Sequence, residues 1–502
     1  MKILSVDKIR EADAYTIRNE PISDIDLMER AATLCYYWLI DHLDHDDEIH
    51  VAAGTGNNGG DGFAIARLLS AKGFNVQVVL AGGADDLSPS CRINYERWMQ
   101  DSRSKVLDVT DWNPGKECVI VDALFGSGLT RPLEGESASL IRRINGSGAM
   151  VIAIDVPSGL FCDRTVMDRK DPAVVKADYT LTFLPPKLAF MFPENETFVG
   201  NWILLDIGIL EEYLAGAETR NYFLDPQDIG PLLRKRSKFQ HKGHFGHALL
   251  ICGGRGKMGA AVLAARGSLR AGSGLTTVRV PQSGAPIIQT SVPEAMIAID
   301  PDADFFTELP DLTPYTSIAA GPGIGTAPKT QTVLKTLIQA STKPIIFDAD
   351  ALNILAENKT WLSFLPKGSV LTPHPKEFER LAGKSANDFE RNAKQRELSF
   401  KYQCCIVLKG AQTAITTPGG DCYFNSTGNP GMATGGSGDV LTGIIAGLMA
   451  QGYPPAGASI AGVYLHGLAG DLAADDTGFE ALIAGDIINY LGKAFRSLYG
   501  EL

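Results

Sequence analysis

"GTGNNGGDG", Gly54 to Gly62, follows the apolar stretch "EIHVAAG" and decides how the first half of the chain reads. Five of its nine residues are glycine, more than a tight turn alone requires. A glycine-rich turn between a strand and a helix lets backbone approach a ligand closely. It also leaves amide N–H groups aimed outward at the helix N-terminus, where the dipole favours an anion. Phe63 is expected to begin that helix. The register is not GxGxxG, so a standard dinucleotide fingerprint does not follow.

Outward from this turn, "IHVAAG", "VQVVLAG", "CVIVDALFG", "MVIAIDVPSG", "YTLTFL" and "WILLDIG" are short apolar runs bounded by Gly or Pro and separated by helix-length segments. Continuous apolar runs alternating with helices predict a parallel sheet covered on both faces. The polar segment "LEEYLAGAETRNYFLDPQDIGPLLRKRSK" breaks the pattern and reads as a linker or surface helix, with Arg234 to Lys238 solvated. A second series follows: "HALLICGG", "LTTVRV", "SIAAGPGIG", "PIIFDAD", "SVLTPH" and "CIVLKG". "TAITT" and "CYFN", joined by "PGGD", read as a hairpin. Helices are expected to start near Gly438, Ala456 and Glu480. The fold class is therefore α/β, with two α/β sandwich domains, 1–220 and 221–502.

Length and composition agree. A chain of 502 residues is too long for one ordinary core. Apolar residues make up 45% and charged residues 21%, the balance of a soluble globular protein. The net charge of −12 argues against a generic nucleic-acid or anionic-membrane surface. It leaves room for a small anionic ligand held by local amides. The eight cysteines form no CxxC pair, which points to a reducing compartment and a cytoplasmic location. No signal-peptide core and no apolar run long enough to span a membrane is present.

Asp122 ends "CVIVD" and Asp155 ends "VIAID", and both precede Gly/Ser-rich turns. Ligands of open α/β sheets bind outside the carboxyl ends of the strands, so these turns and the glycine loop are expected to converge. Asn58, Asp122 and Ser158 offer hard oxygen ligands suited to a cation such as K⁺. In the second half, "GNPGMATGGSGDVLTGIIAGLMAQG" sets Gly435, Gly436 and Gly438 before an apolar helix beginning near Asp439. Amides there can neutralise a phosphoryl group in transfer, and Asp439 can take a proton from a hydroxyl. "VLKGAQT" puts Lys409 to Thr413 at a strand end, suited to an adenine nucleotide. His374, between two prolines, reads as structural or functional. Asp348 and Asp350 read as Mg²⁺ ligands or as helix caps.

"GTGNNGGDG", "VDALFGSGL" and "AIDVPSG" resemble the epimerase domain of the bifunctional NAD(P)H-hydrate repair enzymes. "GHFGHALLICGG", "GPGIG", "LTPHPKE", "VLKG" and "NPGMATGGSGDVLTG" resemble the ribokinase-like, ADP/ATP-dependent NAD(P)H-hydrate dehydratase domain. The resemblance implies a Rossmann-like N-terminal domain that interconverts R- and S-hydrates of NADH and NADPH, and a C-terminal domain that dehydrates the S form. It implies that Asn57, Asn58, Gly59, Gly60 and Asp61, with Gly126, Ser127, Gly128, Leu129, Thr130, Arg131 and Pro132, hold the nucleotide. Asp155 would contact the hydrated ring, and Asn58, Asp122 and Ser158 would hold K⁺. In the second domain Ala260, Gly323, His374 and Asp439 would contact the hydrated dinucleotide. Lys409, Gly410, Ala411, Gln412, Thr413 and Gly438 would contact ADP or ATP, which arrives with Mg²⁺. Arg255 stands where the family more often has a small residue, and Arg255 itself is a candidate phosphate contact. ADP is the expected donor, because the fused two-domain order resembles bacterial members. The substrates are small molecules, with no nucleic-acid or membrane partner, and a homo-oligomer is expected. The alternatives are a vitamin-precursor kinase of the ribokinase class, whose product would keep the phosphate, and a nucleotide-binding scaffold with an idle first domain.

Overall fold

Seven strands of the first half form a wholly parallel sheet in the computed structural model, which describes residues 1–101, 105–168 and 170–500. The strands are β1 (Glu48–Ala53), β2 (Asn75–Leu80), β3 (Val106–Asp108), β4 (Cys118–Ala123), β5 (Met150–Ile154), β6 (Tyr179–Phe183) and β7 (Asn201–Leu205). Their order is β3-β2-β1-β4-β5-β6-β7, with every neighbouring pair parallel. Both faces are covered, which explains why the runs are apolar throughout rather than alternating. Val51, Val121 and Ile154 pack one way, against Phe63, Ile65 and Leu69. Ala52, Ile120 and Ala153 pack the other way, against Leu140, Ile141 and Ile144. Strand order reverses between β1 and β4, so the turns leaving these two strands flank a crevice at their carboxyl ends.

Three helices matter to that crevice: α1 (Val6–Asn19), α2 (Asp24–His42) and α3 (Asn57–Lys72). The sequence reading started α3 at Phe63; it starts six residues earlier, so Gly59, Gly60 and Gly62 lie inside its first turns. Their lack of a side chain serves packing. A Cβ on Gly59 would stand 1.8 Å from the Gly54 carbonyl oxygen, and one on Gly62 would stand 2.7 Å from Ala123 Cβ. Only glycine lets α3 lie this close to the ends of β1 and β4.

The second half builds a ten-stranded sheet: β8 (Asn221–Phe223), β9 (His247–Ile251), β10 (Leu275–Pro281), β11 (Met296–Asp300), β12 (Ser317–Ala320), β13 (Ile345–Phe347), β14 (Val370–Leu371), β15 (Cys405–Leu408), β16 (Ala414–Thr416) and β17 (Cys422–Phe424). The order is β11-β10-β9-β12-β13-β14-β15-β16-β17-β8. The expected hairpin is β16–β17, antiparallel. The segment read as a linker contains β8, which adds to β17 as the edge strand. The helices Met258–Arg270, Ser437–Ala450, Pro455–Thr477 and Ala484–Leu498 share one face of this sheet. The last three begin close to their expected starts. The chain divides into two compact units. One is Lys2–Thr219 with Asn387–Phe389, and the other is Met1, Arg220–Ala386 and Glu390–Leu502.

Gly59→Ala should destabilise the first unit by about 1–3 kcal/mol, the usual range for overpacking, whereas Gly56→Ala should be nearly neutral. A Cβ on Gly56, the residue that precedes α3, would meet nothing within 4 Å. Urea denaturation of the two variants checks this contrast.

Candidate functional sites

The crevice of the first unit is a cleft of about 780 Å³. Asn57, Asn58 and Asp61 line it, as do Gly126 to Pro132 and Asp155, so the loops expected to converge do so. Gly59 and Gly60 are not among the residues that line it; they pack inside α3. No side chain caps the start of α3, which leaves its first N–H groups free for an anion. Arg10, Asp13, Thr55 and Phe183 also line the cleft and were not foreseen.

Asp155 follows β5 with a φ of 64°, a left-handed backbone that is uncommon for a residue other than glycine. Its Oδ2 accepts a hydrogen bond from Ser127 N at 3.1 Å. Its Oδ1 lies 2.7 Å from the Nζ of Lys187, a lysine only 1% exposed. Burial alone would raise the Asp155 pKa, but the Lys187 ammonium and the Ser127 N–H outweigh it, and the carboxyl sits below its ordinary range. The neighbouring carboxyls move the other way. Burial and the Asp155 charge push Asp13 up to about 7, and the same causes raise Asp61 well above its ordinary value. Lys187 lies in "LPPKLAF", where a lysine inside an apolar run was the available signal.

Asp122 is completely buried. Its carboxylate accepts from Ser158 N at 2.8 Å and from Ser158 Oγ at 2.6 Å. Burial raises it to about 6 despite these bonds. The Asn58 side-chain Nδ2 is buried without a partner. The trio expected to hold a cation thus divides: Asp122 and Ser158 bond each other, and the Asn58 amide stands unsatisfied.

In the second unit the loops after β9, β12, β13, β14 and β15 leave the carboxyl ends of parallel strands. Gly436 precedes the helix Ser437–Ala450 in a left-handed conformation, φ 94°, and no side chain caps that helix. Asp439 lies in its first turn. Lys409 Nζ pairs with Asp348 Oδ1 at 2.8 Å, and Thr442 Oγ1 donates to Asp348 Oδ2 at 2.8 Å. A Cβ on Gly438 would lie 3.3 Å from Lys409 Nζ, so glycine opens the space over this pair. Burial and the Asp348 charge raise Asp439 to about 6, with Lys409 offsetting part of the effect. His466, also unforeseen, lies with Nε2 3.0 Å from Ser437 O. Burial lowers it to about 4, so the ring is neutral and donates to that carbonyl.

The other expected residues take varied positions. Ala260 and Gly323 adjoin, since a Cβ on Gly323 would lie 3.3 Å from Ala260 Cβ. His374 caps the helix Pro375–Ala382, its Nδ1 accepting from Lys376 N and Glu377 N. Asp350 accepts from Gly325 N and pairs with Lys257. Arg255 pairs with Asp304 at 3.1 Å. Gly410 and Thr413 bond each other across a tight turn, Ala411 is exposed, and Gln412 Oε1 is buried without a partner. No group of three or more His, Cys, Asp or Glu side chains fit to hold a metal occurs among the described residues. No helix among them is long and apolar enough to cross a membrane.

Lys409→Met strands the buried Asp348 carboxylate. It should destabilise the second unit by about 3–5 kcal/mol, the usual loss when one partner of a buried pair is removed. Urea denaturation followed by circular dichroism measures it.

A family model described as "YjeF-related protein N-terminus" matches residues 24–189, and one described as "NAD(P)H-hydrate dehydratase" matches residues 248–493. A bifunctional NAD(P)H-hydrate repair enzyme of Coxiella burnetii is 37% identical over 96% of this chain and 97% of its own length. One of Thermofilum pendens is 35% identical over 99% and 97%. A solved structure of an ADP/ATP-dependent NAD(P)H-hydrate dehydratase from Bacillus subtilis, co-crystallised with ATP and Mg²⁺, is 32% identical. It covers 55% of this chain and 98% of its own, with a TM-score of 0.49. With such identity along nearly its whole length, the chain belongs to the family of bifunctional NAD(P)H-hydrate repair enzymes.

Proposed function

We propose that the two units each run one step of cofactor repair at the sites described. The supporting observation is that each unit has its own uncapped helix N-terminus beside an aspartate whose pKa is displaced. In the first unit Asp155 is the epimerisation base. The hydrated carbon bears a hydroxyl and the ring nitrogen, so it is a hemiaminal. Asp155 takes the hydroxyl proton as C–O becomes C=O and the C–N electron pair returns to nitrogen, which then receives that proton. Rotation and the reverse steps close the ring with the opposite hand. Asn57, Asp61 and the Gly126 to Pro132 loop hold the nucleotide.

In the second unit the nucleotide's terminal phosphoryl group moves to the ring hydroxyl of the S-hydrate, with Asp439 accepting the hydroxyl proton. Phosphate then leaves with the C–O electron pair as the ring nitrogen forms an iminium. A proton passes from the adjacent ring carbon to the departing phosphate or to water, which restores the ring C=C of NADH or NADPH. Gly438, the Lys409 to Thr413 turn and the free amides before the helix Ser437–Ala450 receive the phosphates. Mg²⁺ would arrive with the nucleotide and supply positive charge against its phosphates, with Asp348 and Asp350 the carboxylates that would hold it. ADP is the donor we favour over ATP.

Asp439→Asn should reduce dehydration by ~10²–10⁴-fold, the usual worth of a positioned base, and leave epimerisation intact. Asp155→Asn should do the reverse. In the unsubstituted protein, dehydration should fall about tenfold per pH unit below about 6, because Asp439 must be ionised and its pKa is raised to that value. Separated R and S isomers, followed by chromatography, report each step. Loss of both activities from either single substitution in a folded protein would refute the two-site reading.

Asn58, Asp122 and Ser158 fit a K⁺ ion: the donors are oxygens, and the buried Asp122 carboxylate has no basic partner among its hydrogen bonds. K⁺ would supply a compensating charge that fixes the loops after β4 and β5. Replacing K⁺ by Li⁺ should slow epimerisation and spare dehydration. Indifference of epimerisation to the ion would leave the Asp122–Ser158 bonds as a simple loop tie.

A further inference from the structure

A lysine almost never buries itself completely unless it is paired. Lys187 is 1% exposed, lies 2.7 Å from Asp155 Oδ1 and donates to Phe183 O at 2.6 Å. Asp155 and Phe183 line the cleft, whereas Lys187 does not. The ammonium therefore stands behind the carboxylate, out of reach of a bound ring.

The groups facing Asp155 come from every element around it. Asp13 comes from α1, Asp61 from α3, and the thiols of Cys35 and Cys162 from α2 and the turn after β5. Asp24 at the start of α2 adds negative charge toward Asp13 and Asp61. Both thiols are pushed up by burial and are neutral. Three of the four carboxyls that line the cleft, Asp13, Asp61 and Asp155, thus lie close enough to repel one another, and like charges so placed cannot all ionise. The direct salt bridge from Lys187 reaches only one of them.

We propose that Lys187 is a positioning residue for epimerisation, whose buried ammonium selects Asp155 among these three carboxyls as the ionised one and, by holding Oδ1, leaves Oδ2 as the oxygen that meets the substrate. This rests on Asp155 being the epimerisation base. The displaced pKa values agree in direction, since Asp155 is lowered while Asp13 and Asp61 are raised. Without the ammonium, burial dominates at Asp155, a proton settles there, and the group cannot accept the hydroxyl proton until the pH rises.

The test measures kcat/KM for epimerisation of the purified R-hydrate from about pH 5 to about pH 9 in the full chain. Lys187→Met should move the acid limb upward by roughly 1–3 pH units, the effect of losing an adjacent opposite charge. Most of the rate should return at the alkaline end, and Lys187→Arg should keep the limb near its original position. Dehydration of the S-hydrate should be unchanged in both. A Lys187→Met profile lowered by one constant factor at every pH, or one that overlays the original, would overturn the proposal while leaving the base assignment standing. Should Lys187→Met fail to fold, the double variant Asp155→Asn/Lys187→Met removes the stranded charge. It should epimerise as slowly as Asp155→Asn and no slower; a further tenfold loss would show that Lys187 acts independently of Asp155 and overturn the proposal. Full activity in Asp155→Asn alone would instead remove the base assignment on which it rests.

Discussion

Backbone touching backbone is the constraint on which both sites depend. In the first unit α3 can reach the strand ends only because Gly59 places no Cβ where the Gly54 carbonyl lies. In the second, the helix Ser437–Ala450 lies against Met258–Arg270 through the same device. A Cβ on Gly443 would stand 2.1 Å from Ala264 O, and one on Gly267 would stand 2.7 Å from Val440 O. Were either helix held off by side chains, its free N–H groups would no longer meet the loops at the carboxyl ends of the strands. Much of the glycine in both motifs is thus spent on seating a helix, and the anion-binding terminus is a consequence of that seating.

The two units use similar charges to opposite effect. Each pairs a lysine with a buried carboxylate, Lys187 with Asp155 and Lys409 with Asp348. In the first unit the lysine touches the aspartate that lines the cleft, which lowers its pKa while those of its neighbours Asp13 and Asp61 are raised. In the second the lysine touches the neighbour, and Asp439, close to the Asp348 charge, is raised to about 6. Whether the salt bridge falls on an aspartate or on its neighbour decides the direction of the shift.

The parallel strands were legible because a strand buried on both faces must be apolar at every position, as in "CVIVDA", where all six residues are buried. Short edge elements escaped. β8 has three residues, lies in a polar stretch and is defined by pairing with β17, nearly two hundred residues later. β3 and β11 are edge strands whose outer sides need no apolar pattern. The start of α3 was misread because glycine looks like loop wherever it occurs. Here it is helical, since packing against Gly54, Met28 and Ala123 overrides its poor propensity.

By itself the sequence determined the α/β class, the two strand series, the glycine turns, and the aspartates that close β4 and β5 or open the helix Ser437–Ala450. These are local patterns, written in periodicity and in neighbours along the chain. Tertiary structure alone decided which charges meet. Lys409 and Asp348 are 61 residues apart in sequence and share a hydrogen bond. Lys187, Asp13 and His466 reach the sites from segments without a motif. A pKa depends on distance through space and on exclusion of water, and neither quantity exists until the chain has folded.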